Sequence, residues 1–147
     1  MKNPVLKFLC QRFGIPTPVF DGFVVTVTDR QAWLSTPEAG SVGGPVRRRG
    51  VQLAEITAHG PKLTAQGALA VGRDATHNTL ELDDEDARAF MEGKNIQGDF
   101  GELSGQVIIR WKGFPVGVGL IQGKTLKNQL PLSRRLPPEL KPHRLSP

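Results

Sequence analysis

Tyrosine is absent from this chain of 147 residues, cysteine occurs once and histidine three times. A single cysteine excludes an internal disulfide and fits a reducing cytoplasm. Cys10 has no histidine near it in sequence, so it reads as a packing residue and not as an activated thiolate. His59, His77 and His143 fall in separate loop-like segments, without the spacing of metal ligands. No apolar run approaches the ~18 residues of a spanning helix, and Pro4 and Lys7 break up Met1–Cys10 as a signal peptide. Also missing are a Gly-x-Ser-x-Gly elbow, a phosphate-binding P-loop and a dinucleotide-binding glycine run. The expectation is a cytoplasmic, non-enzymatic protein with no membrane partner, no cofactor and no metal site.

Glycine (17 residues) and proline (12) are abundant, beside an apolar fraction of 38% and a charged fraction of 22%. That composition favours a loop-rich α+β fold over a helix bundle, in one domain or two small ones. The net charge of +5 is sorted along the chain: residues 1–50 carry +4, 51–80 none, 81–102 −6 and 103–147 +7. Such sorting lets one part of the surface attract phosphates while another repels them.

Val5, Leu6, Leu9 and Phe13 recur at helical spacing, which predicts an amphipathic helix over Lys2–Phe13 closed by Gly14. Phe20–Thr28 alternates as a strand, and the turn at Asp29-Arg30 leads into a partner strand at Gln31–Ser35. Thr36–Pro45 reads as a loop running into Arg47-Arg48-Arg49, either a phosphate contact or a solubilising tip. Gly50–Ile56 predicts a strand, Gly60–Leu63 a turn and Thr64–Val71 a helix. Leu80–Met91 predicts the clearest helix, with Asp83 as N-cap and further acids in its first turn. Asn95–Gly105 reads as a polar connector, and the proline-bearing tail 136–147 as extended.

Val107–Trp111 and Val116–Ile121 predict two strands joined by a turn at Lys112–Pro115. Gly117 and Gly119 inside the second strand mark a bulge or a close backbone approach. A second turn at Gln122-Gly123-Lys124 leads into Lys127-Asn128, and Pro131 precedes Arg134-Arg135. Cations at the turns and along the exit of such a ribbon suit a phosphate chain.

The run RWKGFPVGVGLIQGKTLKNQLP, Arg110–Pro131, resembles the PUA-type RNA-binding module at the C-terminus of the Fmu/Sun group of rRNA cytosine methyltransferases. The family's hairpin and its following Gly-x-Lys/Arg-x-Lys-Asn-x-x-Pro are met by Gly113, Phe114, Pro115, Val116, Gly117, Gly123, Lys124, Lys127, Asn128 and Pro131. Arg12–Phe23 with Trp33-Leu34 is similar to the opening of short Fmu-related ribosome-biogenesis proteins, and the acidic helix fits too. The family's Pro-Ser-His-Ala helix start is replaced here by Ala65-Gln66-Gly67-Ala68, so no role carries over to that spot. Neither the S-adenosylmethionine-binding fold nor the Pro-Cys nucleophile of those enzymes has a counterpart.

The resemblance implies an α+β fold: a PUA-like mixed β pseudobarrel with short rim helices over residues 46–135, preceded by a helix and hairpin in 1–45. It implies a non-catalytic protein binding structured rRNA or tRNA, in ribosome biogenesis or RNA modification. Arg47, Arg48, Arg49, Arg110, Lys112, Lys124, Lys127, Arg134 and Arg135 would meet phosphates, Gly113 and Gly117 would admit the RNA backbone, and Asn128 would bond a ribose or base edge. Two other readings stay open. The chain is either a subunit lending an RNA-docking half to a separate RNA-modifying enzyme or ribosomal precursor, or a nuclease built on Asp84 and Glu85.

Overall fold

Asn3 opens the first helix, its side chain accepting from the amides of Val5 and Leu6, and Pro4 takes the first helical position, where no donor is missed. Helix α1 (Pro4–Phe13) ends on Gly14 in the left-handed region, φ 64°. A computed structural model describes this chain over residues 3–36, 50–131 and 135. Arg47, Arg48, Arg49, Arg134 and the tail 136–147 lie outside the described residues.

A 3₁₀ turn (Thr17–Phe20) precedes a four-stranded antiparallel meander of β1 (Val24–Val27), β2 (Gln31–Ser35), β3 (Val51–Thr57) and β4 (Gly60–Leu63). Gly60–Leu63, expected as a turn, is thus a strand, because Ala54 and Thr57 of β3 pair with Leu63 and Gly60. The boundary expected between residues 45 and 46 falls inside this sheet. Ala32 of β2 pairs with Ala54 of β3, so the N-terminal hairpin and the strands after it share one ladder.

Helix α2 (Ala65–Val71) starts at Thr64, whose hydroxyl accepts from the amide of Gly67. Gly67 is there for space: a Cβ at this position would collide with the Leu53 carbonyl of β3. After a 3₁₀ turn (Gly72–Asp74) come β5 (Thr79–Glu81), helix α3 (Asp84–Met91), β6 (Ile96–Gln97), β7 (Gly105–Trp111), β8 (Phe114–Gln122) and β9 (Thr125–Asn128). These strands form a five-stranded mixed sheet in the order β5-β7-β8-β9-β6, with β5 parallel to β7. The predicted helix over Leu80–Met91 is therefore two elements. Leu80 pairs with Ile109 in a strand, and the helix begins only after Asp83, whose carboxylate accepts from the Asp86 amide.

The mixed sheet alternates its side chains between two cores. Val107, Ile109, Ile121 and Leu126 pack with Phe90 of α3, while Ile108 and Val118 point the other way, into the core shared with α1, α2 and the meander. The result is the α+β, PUA-like pseudobarrel with short helices at its edges. Side chains stitch the halves together. The Gln106 amide donates to and accepts from the backbone of Leu63, at 2.8 and 2.9 Å. Arg12 of α1 donates to the carbonyls of Ser104 and Gln106 at 2.6 and 2.7 Å. Among the described residues no helix is long and apolar enough to cross a membrane.

Candidate nucleic-acid interface

The β7–β8 turn is tighter than the sequence suggests. Trp111 pairs directly with Phe114, leaving Lys112 and Gly113 as a two-residue loop, and both have positive φ, 50° and 81°. Two successive left-handed residues are the signature of a hairpin turn that matches strand twist, normally built from Asn-Gly. Lys112 is thus an unfavourable choice for the backbone at an exposed tip. Lys112→Asn should raise stability by about 0.5–1 kcal/mol. Urea denaturation of the parent and the variant checks the sign.

Two cation–aromatic pairs flank this tip. The Lys112 ammonium lies 4.8 Å from the centre of the Trp111 ring, and the Arg73 guanidinium lies 5.3 Å from that of Phe114. Phe114 is 54% exposed, so its ring is not consumed by the barrel core. The Trp111 indole N–H donates to Asp84 Oδ1 at 2.8 Å, tying the tip to the first turn of α3. Neither Arg73 nor the exposure of Phe114 was foreseen. Gly72-Arg73-Asp74 carries no periodic signal, and the packing of Gly72 against Ile108 and Pro115 brings it to the hairpin.

Arg110, expected on phosphate, faces inward instead. Its guanidinium donates to the carbonyls of Arg73 and Ala75 and to the Thr79 hydroxyl, and Nε is 3.8 Å from a Glu81 carboxylate oxygen. Of the five donors of a guanidinium, those on Nη1 fasten the turn that carries Arg73. Asn128 is likewise committed. Its amide nitrogen donates to the carbonyls of Phe90 and Lys94, and its oxygen accepts from the Leu130 amide, closing the C-terminal end of α3. Arg135 donates to the Leu130 carbonyl and lies over Gly93. Gly117 is buried, and a Cβ there would stand 3.1 Å from both Phe90 and Leu130, so its missing side chain admits a helix and not an RNA backbone. Gly113 is exposed at the tip.

Lys124 and Lys127 are exposed, at the opposite end of the ribbon. The nine residues of β8 separate the two turns, about 30 Å at roughly 3.4 Å per residue. Among the described residues the expected cations do not converge on one patch. The end that combines cations with accessible aromatics is the β7–β8 tip, with Arg73, Trp111, Lys112 and Phe114.

Comparison with known proteins follows the same lines. The family described as Methyltransferase RsmF PUA domain matches residues 77–136. Ribosomal RNA small subunit methyltransferase F of Aeromonas salmonicida is 35% identical over 131 residues, covering 88% of this chain and 27% of that protein. The protein of the same name from Aeromonas hydrophila is 37% identical over 103 residues, 69% of this chain and 22% of its own length. That from Enterobacter sp. strain 638 is 30% identical over 105 residues, 70% and 22%. The chain spans about a quarter of the length of the curated relatives it matches. The match begins just before β5 and runs through the mixed sheet. With its five-stranded sheet, its α3 cap and its Arg110–Pro131 ribbon, the stretch 77–136 is similar to the PUA domains of the methyltransferase RsmF family.

Proposed function

We propose that this chain is a non-catalytic RNA-binding module that docks on structured rRNA or tRNA through the β7–β8 tip. The observation that carries this reading is Phe114, a large ring left open to solvent, with Arg73 over one side and Lys112 beside it. Aromatic faces stack on bases whatever their identity, and guanidinium and ammonium groups meet the phosphates on either side. The family to which residues 77–136 are similar, and its occurrence in ribosomal RNA methyltransferases, support the same partner. What those longer enzymes catalyse is not carried over.

Arg73, Lys112 and Arg88 lie at this end of the sheet, so about three phosphates would be neutralised, giving a log–log salt slope of about −2 to −3. Fluorescence anisotropy against rRNA and tRNA fragments between low and moderate salt measures it. Lys112→Ala should reduce the slope by about 1, whereas Lys124→Ala, at the far turn, should leave it unchanged. A flat salt response, or equal losses in the two variants, removes the tip as the interface.

A second reading has its own observation. Phe23, Val24 and Val27, each at least 40% exposed, line the outer edge of the meander at β1, beside an apolar groove formed by Val19, Leu34, Val51 and Val71. This edge suits a protein partner, an RNA-modifying enzyme or a ribosomal precursor, to which the chain would lend its RNA-docking half. A pull-down that keeps its partner after nuclease treatment, and loses it with Phe23→Asp, supports that role.

A further inference from the structure

We propose that the groove between α3 and the β7–β8 hairpin receives one unpaired base of the bound RNA, stacked on Trp111. The proposal rests on the RNA-docking reading and adds to it the class of RNA recognised: a helix interrupted by a bulged or looped-out nucleotide. The groove measures about 470 Å³ and is lined by Asp84, Ala87, Arg88, Met91, Trp111 and Val116. That volume lies within the range of sites that enclose small flat ligands.

Its bed is apolar. Ala87 is 7% exposed, and Met91 and Val116 are half-buried. The small side chain of Ala87 is what leaves room between helix and hairpin. The wall is an indole whose orientation is fixed, because its N–H is held by Asp84 Oδ1 at 2.8 Å. A fixed ring loses little freedom when a base stacks on it, so the gain from stacking is retained.

The polar groups of the groove are divided as a nucleotide is. Asp84 is exposed, and the indole uses only one of its carboxylate oxygens, which leaves the other to accept from an exocyclic amine or ring N–H. Arg88 is exposed at the rim, Lys112 lies over the indole, and among the described residues neither is in an ion pair. Both remain available to the phosphates flanking a base. A paired base cannot enter: bases of an A-form duplex are stacked and their major-groove edges are out of reach. The groove is also continuous with the proposed tip through Trp111, so one RNA strand can touch both.

The chain has two tryptophans, so a Trp33→Phe background leaves Trp111 as the sole indole reporter. Two RNA hairpins of equal length are titrated into it, one fully paired and one carrying a single bulged purine. The expected result is quenching of Trp111 emission by the bulged RNA only, with affinity about tenfold or more above that of the paired RNA. Trp111→Ala should bring the two affinities together, and Trp111→Phe should keep part of the difference. The comparison of RNAs on the parent protein stands even if the alanine variant fails to fold. Equal binding of both RNAs with unchanged emission overturns the base site while leaving RNA docking intact. Binding of neither RNA overturns both. Emission that ignores RNA but shifts as protein concentration rises assigns the groove to a second copy of this chain, and also overturns the proposal.

Discussion

Asn128→Ala should unfold about 3 kcal/mol more easily than the parent, at roughly 1 kcal/mol for each of three hydrogen bonds, and should bind RNA unchanged per folded molecule. The alanine takes one donor from the Phe90 carbonyl, which keeps the Gly93 amide, and leaves the Lys94 carbonyl and the Leu130 amide without the Asn128 side chain. Beneath them lies the Phe90 ring, fully buried against Gly117, so relaxation of the helix end disturbs the centre of the second core. Asn128→Asp is a sharper probe. It keeps an acceptor for Leu130 but sets a carboxylate against two carbonyl oxygens, and should be at least as destabilising as alanine. Urea denaturation read alongside anisotropy separates stability from binding. A variant that keeps its midpoint but loses RNA affinity would place Asn128 on the RNA and refute the capping role.

Phe114→Ala should do the reverse. Truncating an aromatic on which a base stacks costs about 1–3 kcal/mol of binding, roughly tenfold in affinity. Stability should change by no more than about 0.5 kcal/mol, because the ring is 54% exposed and outside both cores. Phe114→Trp should preserve or improve binding. Arg73→Ala should lose less than Phe114→Ala, and the double variant less than the sum, since the guanidinium acts partly through the ring beneath it. Additive losses would show that the two side chains meet the RNA separately, and an unaffected Phe114→Ala would remove the stacking platform.

The parts legible in the sequence are those set by neighbours along the chain. The Gly14 end of α1, the Asp83 start of α3 and the apolar run of β7 follow from local capping and composition, whereas the Asn3 cap places the start of α1 at Pro4 and not at Lys2. Leu80–Glu81 reads as helix from sequence because the acids that follow suggest one. What makes it a strand is Ile108–Arg110, which reaches it from nearly thirty residues away. The same limit applies to the site. Lys112, Arg110 and Asn128 look alike as polar residues on a ribbon, yet one points to solvent and two bind carbonyls that only the fold brings near. No count of charges distinguishes a cation on the surface from one that fastens a turn. Arg73, 41 positions before Phe114, has no linear signal linking it to that ring.

Ile108 and Val118 belong to the matched stretch 77–136, yet they are buried with Leu9, Phe13 and Ala68 from outside it. A protease cut near Ala75 that freed the later fragment would wet one whole side of its sheet and leave the Gln106 amide without the Leu63 backbone. Melting is therefore shared: the helix at the N-terminus and the β7–β8 hairpin lose their structure in the same transition.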